Sequence, residues 1–117
     1  MPRDEVLWRK AQCLYRAAVG APSVELKALF AVMAARLVVR SLLEGRGVRV
    51  RPGRLRLGVM LRLLGERGCS VEGVLGEWGE AVELADRVWF EGLRPGVEGV
   101  GLLLSLVEGL FGFLGSC

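Results

Sequence analysis

The sequence predicts an all-α fold, an antiparallel up-and-down bundle of about five helices in one domain spanning residues 1–117. Three observations lead there. Apolar residues recur at spacings of three and four along most of the chain. No segment sustains the alternation of a strand, and each periodic stretch is bracketed by helix start and stop residues. With 117 residues, 52% of them apolar, the chain can bury a core and is too apolar to stay disordered.

Asp4 is placed to cap a first helix reaching about Val19, with Leu7, Ala11, Leu14 and Ala18 as its buried stripe. Gly20 ends it, and Ser23 follows as the next N-cap. The second helix runs from Val24 to about Glu44. Its middle, ALFAVMAA, is apolar on every side, which predicts a central helix surrounded by others. Arg36, Arg40 and Glu44 recur at i, i+4 and mark one solvated edge, and Gly45 stops the helix.

The next stretch, Gly47 to Gly58 (GVRVRPGRLRLG), reads two ways. The VRVR and RLRL alternation around Pro52-Gly53 fits a hairpin with an arginine face. Leu57, Met60, Leu61 and Leu64 instead match the helical template, and a lone hairpin among helices would lack a covering layer. A loop over residues 46–53, followed by a short third helix from near Arg54, is the better reading. Gly65 and Gly68 close it.

Ser70 is taken as the cap of a fourth helix, Val71 to about Gly92, with a later start near Gly79 left open. Val74, Trp78, Ala81, Ala85, Val88 and Trp89 fall on one face, and Glu72, Glu77, Glu80, Glu83, Asp86 and Glu91 on the other. Pro95 breaks the chain before a fifth helix, Val97 to about Leu114. That helix carries two apolar stripes, Val100/Leu104/Val107/Phe111/Leu114 and Leu102/Leu106/Leu110/Phe113, against charge only at Glu98 and Glu108. Two stripes on one helix predict a subunit interface built from Val100, Leu104, Val107, Phe111 and Leu114; burial inside a monomer is the alternative. Glycines such as Gly73, Gly76, Gly79, Gly109 and Gly112 inside these helices each cost about 1 kcal/mol against alanine, which close approach between helices would offset.

His, Asn, Thr and Ile are absent, and the loss of histidine removes the commonest general acid/base and metal ligand together. Cys13, Cys69 and Cys117 form no Cys-x-x-Cys spacing and read as thiols of a reducing compartment rather than a disulfide or metal site. MPRDEVLWRKAQ is too charged for a signal peptide. The most apolar uncharged stretch, Ala28 to Ala35, falls far short of the ~20 residues of a membrane span. The expectation is a soluble, cytoplasmic protein with no membrane contact. Net charge is +3, but residues 1–67 carry 14 basic and 5 acidic side chains (+9) while residues 68–117 carry 2 and 8 (−6). Such asymmetry points to an anionic partner or to halves that neutralise each other.

The run Glu77 to Leu110, EWGEAVELADRVWFEGLRPGVEGVGLLLSLVEGL, resembles the C-terminal half of the HEPN family of small all-helical proteins, most closely its archaeal PaREP-type branch. Trp78, Trp89, Phe90, Glu91 and Gly92 occupy the places of a Trp-containing helix that ends in an aromatic-Glu-Gly turn. Glu25 to Glu44 is similar to the family's long central helix. The resemblance implies an antiparallel bundle, commonly dimeric, that serves nucleic-acid, nucleotide or partner binding, including toxin–antitoxin-like pairing with small nucleotidyltransferases. Catalytic members resemble ribonucleases marked by Arg, four to six residues, then His. Counting from Arg87 or Arg94, no histidine stands at any of those places, so the resemblance implies a non-catalytic member; a divergent ribonuclease using Arg87 and Arg94 is the competing class.

The candidate site is the arginine cluster over residues 46–67. Guanidinium groups take phosphate oxygens bidentately, which makes Arg46, Arg49, Arg51, Arg54 and Arg56, with Arg87 and Arg94, the expected anion- or nucleic-acid-contacting residues. Two other readings stand beside it: pairing with the acidic face of helix four, within a subunit or across a dimer, which would make the chain a purely structural dimer, and plain solvated charge in a chain with 14 Arg to 2 Lys. No aromatic residue lies between Leu43 and Val74, so base stacking on this segment has no support in the sequence. Trp8, Trp78 and Trp89 read as core, and Glu80, Glu83 and Asp86 as solvated acids rather than a metal or acid/base site. No cofactor, metal or catalytic residue is expected. Partners are a homodimer, RNA or a nucleotide, and a nucleotidyltransferase.

Overall fold

A computed structural model describes residues 3–117. It is all-helical among those residues, with six helices: α1 Glu5–Gly20, α2 Val24–Gly45, α3 Leu57–Glu66, α4 Glu72–Glu77, α5 Gly79–Glu91 and α6 Val97–Leu114. Two of the three expected side-chain caps are made. Asp4 accepts from the Leu7 N–H and Ser23 Oγ from the Leu26 N–H, each at 3.1 Å. Asp4 also ties the start of α1 to α2, donating its own N–H to the Ser41 carbonyl at 2.8 Å.

Helix α2 is the axis of the bundle and packs against α1, α3, α5 and α6. Its small residues Ala28, Ala31, Ala34 and Ala35 let neighbours approach, while Val38, Val39, Leu42 and Leu43 fill the middle of the core; all are buried. The uniformly apolar middle therefore has the surrounded position that its composition demands.

The fourth helix differs from the sequence reading in two ways. The long fourth helix is two, divided at Trp78 (φ −115°, ψ 24°). Gly73, Gly76 and Gly79 weaken the helix here, and the Trp78 indole instead packs edge-on against Phe113, ring centroids 5.3 Å apart. A Cβ at Gly109 would come within 2.8 Å of that indole, so this helical glycine is there to admit a ring. Ser70 does not cap: the N-cap position of α4 is Val71, and Ser70 Oγ lies 3.4 Å from Glu72.

The α6 stripe expected at a subunit interface lies within the chain. Val100, Val107 and Leu114 are buried, Leu104 and Phe111 partly so, because α6 crosses both α2 and α5 and its apolar faces meet both. Phe111 lies edge-on to Trp8 at 5.2 Å, which closes the end of the bundle against α1. The apolar side chains that α6 leaves exposed are Val97, Leu102 and Phe113. By length and composition α6 also reaches what a membrane crossing requires, which the charge-free stretches alone did not suggest.

The cysteines differ as well. Cys69 and Cys117 form a disulfide with Cα atoms 5.6 Å apart, closing the start of α4 onto the end of α6, and Cys13 is the exposed free thiol. Their separation in sequence concealed a proximity that only the antiparallel return of α6 creates.

Candidate functional site

Residues 46–56 form neither hairpin nor helix. The chain leaves α2 through Gly47 in the left-handed region (φ 80°), and the Val48 N–H returns to the Leu43 carbonyl at 2.9 Å. From there the alternation noted in the sequence is real but serves a loop. Val48, Val50 and Leu55 turn onto the core, while Arg49, Arg51, Arg54 and Arg56 are exposed between and beside them. Helix α3 begins at Leu57, three residues later than Arg54, with Arg56 in the N-cap position and giving no side-chain cap.

What holds that helix start is Asp86 of α5. Its carboxylate accepts from the Leu57 N–H at 2.7 Å and the Gly58 N–H at 3.5 Å. A buried carboxylate at the positive end of a helix satisfies orphan donors and complements the dipole. Asp86 is 6% exposed, so its placement on a solvated face was wrong. The signal was present: Val82, Asp86 and Trp89 share a helical stripe at i, i+4, i+7.

Arg36 is corrected in the same way. It is 7% exposed rather than on a solvated edge, and its Nη2 donates to the Leu55 carbonyl at 2.6 Å, pinning the loop. Its Nη1 lies 4.0 Å from Asp86 and has no hydrogen-bond partner. The guanidinium is stacked near Trp89 and Phe90, at 5.0 and 5.5 Å. Burial pushes the Arg36 pKa down, with the Asp86 charge opposing; the side chain stays cationic because arginine does not deprotonate in proteins. Arg40 and Glu44 form the i, i+4 pair, 2.6 Å apart and partly buried.

Trp89 fastens the loop tip. Its indole N–H donates to the Gly53 carbonyl at 3.3 Å, and Gly53 (φ +74°) lies so close that an added Cβ would sit 3.4 Å from the ring. Next to it, Phe90 is 38% exposed, with the Arg56 guanidinium 5.2 Å above its ring. The fold therefore brings to the arginine segment the aromatic surface that the segment itself lacks.

The expected site residues thus divide. Among the described residues no ion pair involves Arg49, Arg51, Arg54, Arg56, Arg62 or Arg67, and all six are exposed. Pairing of these six with the acidic face of α5 does not occur within the described chain. Arg46 is engaged structurally, through the Leu42 carbonyl at 3.1 Å and the Cys117 sulfur at 3.2 Å. Arg87 pairs with Glu91 at 3.6 Å on the surface of α5, and Arg94 with Glu25 at 3.3 Å, both outside the loop. Among the described residues no group of three or more His, Cys, Asp or Glu side chains could hold a metal ion. Neither family models, nor curated proteins, nor solved structures give a match to this chain.

Proposed function

We propose that this chain is a non-catalytic, HEPN-like helical binding module whose arginine loop holds the backbone of single-stranded RNA. The observation that carries this reading is the row of exposed arginines at 49, 51, 54 and 56, free of ion pairs among the described residues and projected by a loop whose intervening apolar side chains are anchored. Surface carboxylates compete poorly for such groups, since exposed pairs are worth roughly 0–1 kcal/mol, whereas phosphates gain from counterion release. Phe90 beside Arg56 supplies one face on which a base can stack, which favours single strands over duplex.

The ribonuclease alternative loses ground on geometry. Arg87 and Arg94 each face a carboxylate, and no histidine exists to move a proton. The reading includes pairing with a second copy or with a nucleotidyltransferase. Val97, Leu102 and Phe113 are the exposed apolar α6 side chains left for such contact. The test is fluorescence anisotropy with a labelled single-stranded RNA. Binding that disappears when Arg49, Arg51, Arg54 and Arg56 become alanine, yet survives Arg87→Ala with Arg94→Ala, supports the module. RNA cleavage that depends on Arg87 would replace it with the enzyme.

A further inference from the structure

The two sulfurs of the disulfide sit in unlike surroundings. Cys69 is 4% exposed, whereas Cys117 is only partly buried and follows two exposed residues, Gly115 and Ser116. The Cys117 sulfur also touches a cation, since Arg46 Nη2 donates to it at 3.2 Å. Arg46 is itself held in place, with Nη1 on the Leu42 carbonyl at 3.1 Å, so its guanidinium is kept aimed at the sulfur.

A disulfide sulfur is uncharged and a weak acceptor, so a guanidinium does little for it. A thiolate is different: a neighbouring arginine favours the ionised sulfur, and the thiolate is the form that reacts. Opening the S–S bond therefore leaves two unequal thiols, Cys117 beside the cation and Cys69 enclosed. Backbone hydrogen bonds besides the S–S bond hold both residues. The Cys69 N–H is on the Leu64 carbonyl at 3.2 Å and the Cys117 N–H on the Leu114 carbonyl at 3.1 Å. With Cα atoms 5.6 Å apart, each sulfur reaches the other by side-chain rotation. A reachable, activated thiolate next to a second thiol is the arrangement that responds to oxidants.

We propose that Cys117 is an oxidation site for hydroperoxides, with Arg46 as its activating cation and Cys69 as its resolving thiol. In the reduced protein the Cys117 thiolate attacks one peroxide oxygen. The O–O bond breaks, the sulfur keeps a hydroxyl as sulfenic acid, and hydroxide leaves. The Cys69 sulfur then attacks the sulfenic sulfur; the S–S bond forms, and the hydroxyl departs as water with the Cys69 proton. The two thiols lose two electrons and the peroxide gains them. A dithiol reductant returns the pair to its starting state. The site stands apart from the RNA reading, because Arg49, Arg51, Arg54 and Arg56 take no part in it.

The test starts from the fully reduced protein, freed of reductant, and asks which thiol reacts first. Exposure by itself favours Cys13, the exposed free thiol. The expected result is that hydrogen peroxide below one equivalent gives the Cys69–Cys117 disulfide, seen by peptide mass mapping, with Cys13 unmodified. In Cys69→Ser, dimedone traps the sulfenic acid on Cys117. Arg46→Gln removes the charge. A thiolate loss of about tenfold is offset about threefold by higher nucleophilicity, so peroxide consumption slows about threefold, and Arg46→Lys recovers most of the rate. Oxidation of Cys13 ahead of the pair, dimedone on Cys13 in place of Cys117, or an unchanged rate in Arg46→Gln would each overturn the proposal. A reduced chain that unfolds would do the same, since its three thiols would then react alike. The competition between Cys13 and the pair uses the unaltered protein, so it decides the matter whether or not the variants fold.

Discussion

Replacing Asp86 by alanine removes two things at once. The cap on α3 is lost, which for a side-chain oxygen on a helix N-terminus costs about 1 kcal/mol. The counter-charge of Arg36 is lost as well. At 4.0 Å the attraction between unit charges is about 4 kcal/mol at an effective dielectric constant near 20, and both side chains are 8% exposed, so water does little to replace it. Breaking a buried pair from one side costs about 3–5 kcal/mol because the orphaned charge stays behind. Asp86→Ala should therefore lower the urea unfolding free energy by about 4 kcal/mol, a large share of the 5–15 kcal/mol typical of a domain. Asp86→Asn keeps an acceptor for the Leu57 N–H and should lose less. In Arg36→Met with Asp86→Ala no unpaired charge remains, so the double variant should be more stable than the sum of the single losses implies. A single-variant loss below about 1 kcal/mol, or additive effects in the cycle, would refute the claim that these residues act as a buried unit.

Reduction of Cys69–Cys117, which spans 48 residues of sequence, should destabilise the fold by about 4 kcal/mol on the chain-entropy relation, measured as urea midpoints with and without reductant. Gly109→Ala drives a Cβ into the Trp78 ring and should cost about 1–3 kcal/mol, whereas Gly101→Ala, which meets open space, should gain up to about 1 kcal/mol; thermal unfolding distinguishes them. Tyr15, the only tyrosine, has its pKa raised above 10.0 by burial and by the neighbouring Glu108 carboxylate. Because folded Tyr15 keeps a proton that the unfolded chain has lost, stability should fall as pH rises above 10.0. Ultraviolet titration should show Glu108→Gln moving the transition back toward that value.

The helical class, the caps at Asp4 and Ser23, the central position of α2 and the span of α6 were legible because they are local: spacing, capping chemistry and glycine placement act within one or two turns. The loop at residues 46–56 was half legible. The absence of a covering layer argued for a loop over residues 46–53 and the alternation marked which side chains face in and out, but the delay of α3 to Leu57 depends on Asp86 from a distant helix. What stayed hidden depends on contacts between distant segments. Asp86 and Arg36 look like surface charges until α3 and the loop arrive to bury them. Cys69 meets Cys117, and Trp89 meets Gly53, only through the return of α5 and α6. The α6 stripe was misassigned because a helix flanked on two sides and a helix at a subunit interface carry the same pattern.

The central claim is that Arg49, Arg51, Arg54 and Arg56 are presented together as a phosphate-contacting loop. Its most direct test is the salt dependence of single-stranded RNA affinity, plotted as log K against log salt concentration. Each neutralised phosphate contributes a slope of about −0.7 on a single strand, so changing all four arginines to alanine should flatten the line by about 3 while leaving the helical content unchanged. An unchanged slope in a folded quadruple variant would contradict the account.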